Sequence, residues 1–251
     1  MIDYYCIDCR EFTNYLDDDS VDLVIADPPY LVTNQKWDKD EVFDDYLVSE
    51  LRRILKPTGN IYIWCGIGEK SQSLIRWFPL VSKYFYFKDL ITWKKQRGFG
   101  MRKGWLYTRE ELMWFVKDNT KYRWNGKEQY SEEKREKSNY GYKNKKGELL
   151  DKYIKSDYKR ITNVWTDISE TSFNTMGKDS LVGLHFTPKP IGAISRIIKL
   201  HTTERDLIFD PFMGSGNTAI VANKMNRNFI GCEINPDYIE LINKRLKGGK
   251  S

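Results

Sequence analysis

The sequence predicts an α/β fold, in which a mostly parallel, twisted sheet is covered by helices on both faces. Short apolar runs alternate along the chain with segments of helical periodicity. The apolar runs are nearly continuous, as in strands that are buried on both faces. The chain has 251 residues, of which 40% are hydrophobic. This length and composition exclude a wholly disordered chain and are sufficient for a substantial core.

The strands are predicted from the apolar runs. Residues 21–26 form such a run, and the prolines that follow must end the strand because proline has no N–H for the sheet ladder. Residues 60–65 form a second run. Further strands are predicted at residues 3–7, 84–93, 111–116, 206–210 and 229–233.

The helices are predicted from apolar residues that recur every three or four positions. Phe43, Leu47 and Leu51 have this spacing within residues 42–55. Lys56-Pro57-Thr58-Gly59 is a signal for a helix stop and a turn. Further helices are predicted at residues 69–78, 190–200, 217–225 and 236–246.

Basic residues are concentrated in one part of the chain. Between Lys94 and Arg160 there are 20 Lys and Arg but 10 Asp and Glu, whereas the rest of the chain has 21 and 25. This segment also has 12 aromatic residues, and its first part, Lys94 to Gly104, is glycine-rich and predicts a loop. Basic and aromatic residues together favour a nucleic-acid partner over a membrane surface, with a solvated charged surface as the alternative.

The composition divides the chain into three parts. Within residues 118–180 the apolar periodicity fades and polar residues dominate, which indicates a basic insertion. Residues 1–117 and 181–251 are interpreted as two halves of one core. The N-terminal segment is too acidic and polar for a signal peptide, and no apolar run approaches the roughly 20 residues of a membrane helix. A cytoplasmic protein without membrane contact is therefore expected.

The C-terminal part contains a glycine turn between a predicted strand and a predicted helix. Gly214 and Gly216 follow the strand that ends at Asp210, and glycine allows a backbone to approach a ligand closely. Glu233 ends the next strand, where a carboxylate is suited to ribose hydroxyls. Asp210 would repel a pyrophosphate. The pattern therefore favours S-adenosylmethionine, which has an ammonium and a sulfonium, over a dinucleotide, with a plain tight turn as the alternative.

A second motif, Asp27-Pro28-Pro29-Tyr30, directly follows a predicted buried strand. An exocyclic amine of a nucleobase is a poor nucleophile because its lone pair is delocalised into the ring. Asp27 and the Pro28 carbonyl are suited to accept hydrogen bonds from its two N–H groups, which frees the lone pair. Tyr30 is suited to stack on an extruded base. Positioning and electrostatics suffice for this chemistry, so no metal is expected. The alternative is a proline-rich strand end capped by Asp27.

Together the two motifs resemble those of a known family. Asp27-Pro28-Pro29-Tyr30 and Phe212-x-Gly214-x-Gly216 resemble the paired motifs of the amino-group DNA methyltransferases. The glycine motif comes last here, which is similar to the circularly permuted β-group. The resemblance covers roughly residues 3–117 and 181–246. It implies a Rossmann-like S-adenosylmethionine-dependent methyltransferase fold that carries a basic insertion.

The resemblance also assigns roles to individual residues. Asp8 and Cys9 correspond to an acidic turn that contacts the cofactor adenine, and Glu233 corresponds to the group that takes the ribose hydroxyls. Residues 185–190 resemble the segment before the glycine strand, in which Lys189 would meet the cofactor carboxylate, although Phe186 stands where the family more often has proline. The implied catalytic residues are Asp27, Pro28, Pro29 and Tyr30. The other implied cofactor residues are Asp27, Thr187, Asp210, Phe212, Gly214, Gly216, Asn217 and Thr218.

Double-stranded DNA is the implied partner. The insertion and the preceding basic segment lie where the family holds its target-recognition region, and residues 31–41 are predicted to be a mobile flap. The resemblance implies homodimer formation. It leaves open whether a cognate restriction endonuclease accompanies the protein, and a location on the nucleoid is expected when the protein acts on DNA. The predicted phosphate contacts are Lys94, Lys95, Arg97, Arg102 and Lys103, with a solvated basic loop as the alternative.

Other chemistries fit the sequence less well. Cys6-x-x-Cys9 is the only CxxC pair and the chain has 2 histidines, so a zinc site would need distant cysteines. The signature of zinc base deaminases does not occur. A cysteine nucleophile for methylation of a base carbon would stand where Asp27-Pro28-Pro29 is found. RNA bases and a protein glutamine are alternative amine substrates, although in those families the glycine motif usually comes first.

We therefore predict a site-specific DNA methyltransferase that transfers a methyl group from S-adenosylmethionine to the N6 amine of a flipped adenine. In the family, Asp at the first position of the tetrapeptide leans toward adenine N6, but this correlation is loose, so cytosine N4 stays open. The alternative from another class is a catalytically idle protein that binds DNA without transferring methyl groups.

Overall fold

The structure is a computed structural model that describes residues 1–32, 41–99, 103–134, 157–170 and 188–248. Its strands are Ile2–Cys6 (β1), Val21–Ala26 (β2), Leu55–Cys65 (β3), Tyr86–Phe99 (β4), Tyr107–Val116 (β5), Tyr130–Lys134 (β6), Tyr158–Arg160 (β7), Val164–Trp165 (β8), Leu207–Asp210 (β9) and Asn228–Glu233 (β10). Its α-helices are Cys9–Phe12 (α1), Asp45–Ile54 (α2), Ser73–Ser82 (α3), Ile191–His201 (α4), Asn217–Lys224 (α5) and Pro236–Gly248 (α6). No helix in these ranges is long and apolar enough to span a membrane.

Eight strands form one sheet with the order β1-β10-β9-β2-β3-β5-β4-β8. The strands from β1 to β3 in this order are parallel to their neighbours, and β8 is parallel to β4. The β3–β5 and β5–β4 pairs are antiparallel. The predicted mostly parallel sheet is therefore confirmed, with an antiparallel hairpin near one edge.

Helices cover both faces of the sheet, as predicted. On one face, α1, α2 and α3 pack on a core that includes Val24 of β2. On the other face, α4, α5 and α6 pack on a core that includes Leu23 and Ile25 of the same strand. Successive residues of a strand point to opposite faces. This is why β2 is apolar throughout, because both of its faces are buried.

Two sequence predictions of irregular structure were wrong. Residues 94–99, predicted as part of a loop, continue β4, where Lys94 aligns with Arg109 and Phe99 with Tyr107. A strand in a hairpin satisfies its backbone groups on its partner, so it needs no apolar run to continue. Residues 56–59, predicted as a turn, belong to β3, where a register shift against β2 forms a bulge. The helix predicted at residues 69–78 is displaced to Ser73–Ser82.

Part of the predicted insertion packs on the main sheet. Val164–Trp165 pairs with β4, and Trp165 and Ile168 are buried on the face covered by α4. Strands β6 and β7 form a separate two-stranded sheet. Residues 135–156 and 171–187 lie outside the described residues, so the division of the chain at residues 117 and 180 stays a prediction.

A buried histidine links the end of α4 to the sheet. The Nδ1 atom of His201 lies 2.8 Å from the Arg123 carbonyl oxygen, and its Nε2 atom lies 2.7 Å from the Tyr62 hydroxyl. A carbonyl can only accept, so Nδ1 carries the proton and Nε2 accepts from Tyr62. Burial lowers the pKa of His201 to about 4, although the bond to Arg123 opposes this shift. The imidazole is therefore neutral near pH 7.

We expect acid to destabilise the fold through His201. The pKa of an unfolded histidine is about 6.5. Because the folded pKa is lower, the stabilisation is complete above pH 6.5 and is lost as the pH falls toward 4. Between pH 8 and pH 5 this residue should reduce the free energy of unfolding by about 2 kcal/mol. Urea denaturation measures the change, and His201→Gln should weaken it. An identical pH dependence in the variant would contradict this account.

Candidate active site

The carboxyl ends of five parallel strands lie at one edge of the sheet. At this edge Asp27 follows β2, Asp210 ends β9 and Glu233 ends β10. Strands β2 and β9 are neighbours, with Val24 aligned with Phe209. The structure therefore brings together carboxylates from the two ends of the chain, at the edge where open α/β sheets bind ligands.

The segment Asp27-Pro28-Pro29-Tyr30 leaves the sheet without regular structure. Pro28 is buried, and the chain turns at Leu31 with a φ of 61°, a conformation that side-chain-bearing residues adopt rarely. The Tyr30 ring packs edge-on against Trp77 of α3, with 5.8 Å between the ring centres. The aromatic ring is thus held by packing next to the end of β2.

The Lys189 ammonium lies between two carboxylates. Its Nζ atom is 3.0 Å from Asp27 Oδ1 and 3.3 Å from Glu110 Oε2. The lysine is 9% exposed. Its Nζ atom also lies 5.1 Å from the centre of the Tyr30 ring and 5.5 Å from that of Trp64, within the range of cation–π attraction. The segment before α4 is thereby tied to the end of β2.

The charges of this cluster stabilise one another. Burial disfavours the charge on Lys189, but Asp27 and Glu110 outweigh it and raise the pKa of Lys189 to about 12. Burial also disfavours ionisation of Glu110, but Lys189 and Lys95 lower the pKa of Glu110 below its ordinary value. Asp27 is 26% exposed, yet its carboxylate lies within the protein envelope, and this desolvation raises its pKa despite the nearby ammonium. Asp27 is therefore the more easily protonated of the two acids.

A cavity of about 30 Å³ lies between Asp27 and the glycine turn. Asp210 faces it and accepts hydrogen bonds from the Phe212 backbone N–H, at 3.0 Å, and from the Thr218 hydroxyl. Burial raises the pKa of Asp210 to about 7 in spite of these donors. A cation in the cavity would offset this desolvation. Residues that line the cavity include Asp27, Trp64, Lys189, Asp210, Phe212, Gly214, Asn217 and Thr218.

The turn after β9 requires glycine. Gly214 and Gly216 have φ values of 50° and 78°, and Gly216 is the N-cap that directly precedes helix α5. A Cβ atom on Gly216 would lie 2.8 Å from Ile242 Cγ1 of α6. Both the backbone conformation and the contact with the last helix therefore exclude a larger residue at Gly216.

Asn217, the first residue of α5, connects this turn to the lysine segment. Its amide nitrogen donates to the Lys189 carbonyl at 2.7 Å, and its amide oxygen accepts from Arg245 at 2.8 Å. Arg245 also donates to the Ser215 carbonyl. Helix α6, which carries Arg245, thus fixes the conformation of the turn.

Glu233 is held by two backbone donors. It accepts from the Gly214 N–H at 2.8 Å and from the Asn235 N–H at 2.9 Å. Burial raises the pKa of Glu233, and these two donors oppose the shift. Each carboxylate oxygen retains a lone pair for a further donor, such as a hydroxyl.

The predicted acidic turn lies at the same edge of the sheet, one strand further out. Cys6 at the end of β1 aligns with Glu233. Asp8 caps α1 by accepting from the Arg10 N–H at 2.8 Å, and it forms an ion pair with the Arg10 side chain. Cys9 is buried, and burial raises the pKa of its thiol to about 12. Asp8 is therefore the more accessible of the two predicted adenine contacts.

One buried donor beside Lys189, the Trp64 Nε1–H group, has no hydrogen-bond partner within the described part of the chain. Buried donors are normally satisfied. Trp64 lines the cavity, so this N–H group is available to a bound ligand.

The β4–β5 hairpin extends beyond the end of β3. Cys65 aligns with Glu111, so the first four residues of β5 continue about 13 Å past the carboxyl edge. Trp105, in the turn of this hairpin, is 93% exposed. A basic and aromatic arm thus stands next to the candidate site.

The predicted phosphate contacts are not equally available. Lys94 and Lys103 are exposed on the hairpin. Lys95 is 16% exposed and pairs with Glu110, so a phosphate would have to break this ion pair. Arg102 and the side chain of Arg97 lie outside the described residues, as do Thr187 of the predicted cofactor site and residues 33–40 of the predicted flap.

The cysteines do not form a metal site in the part of the chain that the structure describes. All four are free thiols, and Cys9, Cys65 and Cys232 are buried. Among the described residues, no group of three or more His, Cys, Asp or Glu side chains is arranged to hold a metal ion.

A family model of the DNA methylases matches residues 21–244. The chain belongs to this family. The type II methyltransferase M1.MboII of Moraxella bovis is 31% identical over 249 residues, which cover 94% of this chain and 93% of that protein. The DNA adenine methyltransferase YhdJ of Escherichia coli (strain K12) is 30% identical over 245 residues, covering 91% and 76% of the two chains.

Solved structures of DNA methylases share the fold. A crystal structure of an M1.HpyAVI–SAM complex has a TM-score of 0.62 and 25% identity, and the match covers 98% of this chain and 100% of that chain. PvuII DNA methyltransferase, which is cytosine-N4-specific, has a TM-score of 0.68, 18% identity and coverage of 99% and 87%. The latter identity supports the fold alone. The predicted membership of the β-group of amino-group DNA methyltransferases and the predicted methyltransferase fold are confirmed.

Sequence analysis missed two residues of this site. Glu110 and Trp64 lie against Lys189, but they were assigned no role. Glu110 stands in the polar first half of β5, between Arg109 and Glu111, so the sequence carries no signal that distinguishes it from a solvated charge. Lys189 was predicted from the resemblance. Its ammonium contacts Asp27 and Glu110 in the structure, and its contact with a cofactor carboxylate stays a prediction.

Gly216→Ala should destabilise this DNA methylase by about 1–3 kcal/mol, because it places a Cβ atom in a left-handed conformation and against Ile242. Gly192→Ala is the matched control. There a Cβ atom would meet Ile168 at 3.4 Å, an ordinary contact, and alanine favours helix α4. Urea denaturation compares the variants. Equal stability of the two would refute the constraint on Gly216.

Proposed function

We propose that this DNA methylase is a site-specific enzyme that transfers a methyl group from S-adenosylmethionine to the N6 amine of an adenine flipped out of double-stranded DNA. The pairing of β2 with β9 carries the proposal, because it sets Asp27 and Asp210 against one cavity. The first carboxylate is suited to an amine nucleophile, and the second is suited to a cationic cofactor.

The residues around the cavity fit this cofactor. S-adenosylmethionine would supply, when bound, a methyl group on a sulfonium, whose carbon an amine can attack in line while the neutral thioether leaves. Asp210 is buried beside the cavity and would gain a counter-ion from the ammonium of the cofactor. Glu233 is oriented by two backbone donors and would accept from the ribose hydroxyls, with Asp8 next to the adenine. The M1.HpyAVI–SAM complex supports the same choice of cofactor.

The end of β2 would activate the amine. Asp27 and the Pro28 carbonyl would accept hydrogen bonds from its two N–H groups, which would localise the lone pair on nitrogen. Pro28 and Pro29 fix φ and so direct that carbonyl. Tyr30, already held against Trp77, would stack on the flipped base. This arrangement positions the nucleophile and stabilises the charge that develops on nitrogen, so it requires no metal.

The target base is proposed to be adenine. Asp at the first position of the tetrapeptide favours adenine N6, and the relative YhdJ is named as a DNA adenine methyltransferase. Cytosine N4 is the second candidate, because it offers the same pattern of an amine next to a ring nitrogen. The cytosine-N4-specific PvuII enzyme has the same fold, although its 18% identity supports nothing further.

The β4–β5 hairpin is the proposed start of the DNA-binding surface. Lys94 and Lys103 would contact phosphates, and Trp105 would contact bases or sugars. Arg97 and Arg102, in the same segment, complete the proposed set, and Lys95 would join it when released from Glu110. A homodimer, a cognate restriction endonuclease and a location on the nucleoid in the cytoplasm belong to the proposal as well.

The decisive experiment is expression in a host that lacks DNA methylation, followed by modification-sensitive long-read sequencing. We expect N6-methyladenine at one short sequence context. Mass spectrometry of the nucleosides distinguishes N6-methyladenine from N4-methylcytosine. Detection of N4-methylcytosine alone would favour the second candidate. DNA binding without any transfer of labelled methyl would instead indicate the catalytically idle class.

Asp27→Ala should lower kcat by at least about 100-fold, because the amine loses its charged acceptor. A radiolabelled methyl-transfer assay measures the loss, and the variant should stay folded and still bind DNA. Asp45→Ala is the control, since this aspartate is exposed on α2 and pairs with Lys83. Transfer by Asp27→Ala near the wild-type rate would refute the role of Asp27.

Affinity for S-adenosylmethionine should rise between pH 5 and pH 6.5. An α-ammonium group, with an ordinary pKa of about 7.7–8.0, stays protonated in this range, whereas Asp210 is almost fully protonated at pH 5 and loses its proton as the pH approaches about 7. A cation binds the ionised carboxylate, so binding releases a proton and strengthens with pH. Isothermal titration calorimetry in buffers of different ionisation enthalpy measures both effects. Asp210→Asn should make the affinity nearly independent of pH. If the affinity of this variant still rises with pH, another group is responsible for the pH dependence.

A further inference from the structure

We propose that Glu110 is a positioning residue that draws the Lys189 ammonium away from Asp27 when the target amine enters the site. This inference rests on the proposed function, because it supplies the step that makes Asp27 available as an acceptor. It starts from a conflict within the cluster: the carboxylate that would accept the amine N–H is already paired with Lys189.

Lys189 blocks Asp27 in two ways. Its Nζ atom is 3.0 Å from Asp27 Oδ1, so it occupies one oxygen and offsets the negative charge that makes the carboxylate a strong acceptor. The same Nζ atom lies 5.1 Å from the centre of the Tyr30 ring, on which the flipped base would stack. The ammonium and the amine of the base therefore compete for one position.

Glu110 is the alternative acceptor for the ammonium. Its Oε2 atom is already paired with Lys189 Nζ at 3.3 Å, a longer contact than the 3.0 Å from the same Nζ atom to Asp27. A shift of a few tenths of an ångström toward Glu110 would reverse this order. The Oε1 atom of Glu110 accepts from Lys95, which helps to keep the buried acid ionised. Transfer of the ammonium between the two acids leaves the net charge of the cluster unchanged, so no unpaired cation is buried.

Glu111 provides a matched control. It is the next residue of β5 and is also buried, but neighbouring residues of a strand point to opposite faces. Its carboxylate accepts from the Thr92 hydroxyl at 2.7 Å and lies 3.1 Å from Arg109. Glu111→Gln therefore removes a buried charge from the same strand without altering the partners of Lys189.

The kinetic test compares wild type, Glu110→Gln, Glu110→Asp and Glu111→Gln on unmethylated DNA that contains the recognition site. Glu110→Gln should lower kcat by about tenfold or more and leave KM for DNA within about twofold, because Lys189 then has Asp27 as its sole carboxylate partner. Glu110→Asp keeps the charge and should restore part of the rate. Glu111→Gln should retain a kcat close to that of the wild type.

The pH profile separates this role from a purely structural one. Asp27 faces Lys189, Glu110 and Tyr30, with Cys65 and Asp210 also close enough to interact. The charge of Glu110 raises the pKa of Asp27, so its removal should move the acidic limb of the kcat profile to lower pH while the plateau falls. A variant that is only partly folded would lose amplitude without this displacement.

Carboxyl ¹³C NMR of Asp27 tests the ion-pair network without turnover, in enzyme free of cofactor and DNA. A lower pKa of Asp27 in Glu110→Gln supports the inference, and an unchanged value overturns it. A wild-type kcat with an unmoved acidic limb in Glu110→Gln overturns it equally. Absence of methyl transfer by the wild type overturns the proposed function instead, and the NMR titration then decides on the ion pairs alone.

Discussion

The pairing of β2 with β9 is the interaction on which the candidate site depends. These strands come from opposite ends of the chain, and their parallel alignment sets Asp27 beside Asp210. The aligned residues are buried and apolar, so burial of hydrophobic surface specifies the register that brings two acids together. A slip by one residue would turn the side chains of β2 to the wrong faces. The chemistry of the site is thus fixed by residues that take no part in it.

Four charges of the site form opposing pairs, and Asp210 lies outside this arrangement. Lys95, Glu110, Lys189 and Asp27 alternate in sign along one chain of contacts, which limits the desolvation penalty of each. Asp210 has hydrogen-bond donors but no cationic partner among the described residues, and its pKa is raised accordingly. In the first arrangement, each charge already has a partner of opposite sign within the protein. The second is complete only when a positively charged group binds.

The sequence was sufficient to predict most of the fold and part of the site. Continuous apolar runs identified β2 correctly because both faces of that strand are buried. The extension of β4 through residues 94–99 was not predictable from periodicity, since the hairpin partner rather than the core stabilises it. Motifs located Asp27 directly after β2 and Gly216 in the turn after β9, because both positions follow from the local sequence. Glu110 was missed because its importance arises from contact with Lys189, which only the tertiary structure creates.

The contact between the last helix and the glycine turn has a consequence for variation in this protein. Ile242 fills the space beside Gly216, and Arg245 holds the carbonyl of Ser215 and the amide of Asn217. Helix α6 therefore stabilises the conformation of the turn that would contact the cofactor, although none of its residues needs to touch a reacting atom. Changes at Ile242 or Arg245 would therefore alter the conformation of this turn, although neither residue lines the cavity. Searches for variants that accept altered cofactors should include this helix alongside the pocket itself.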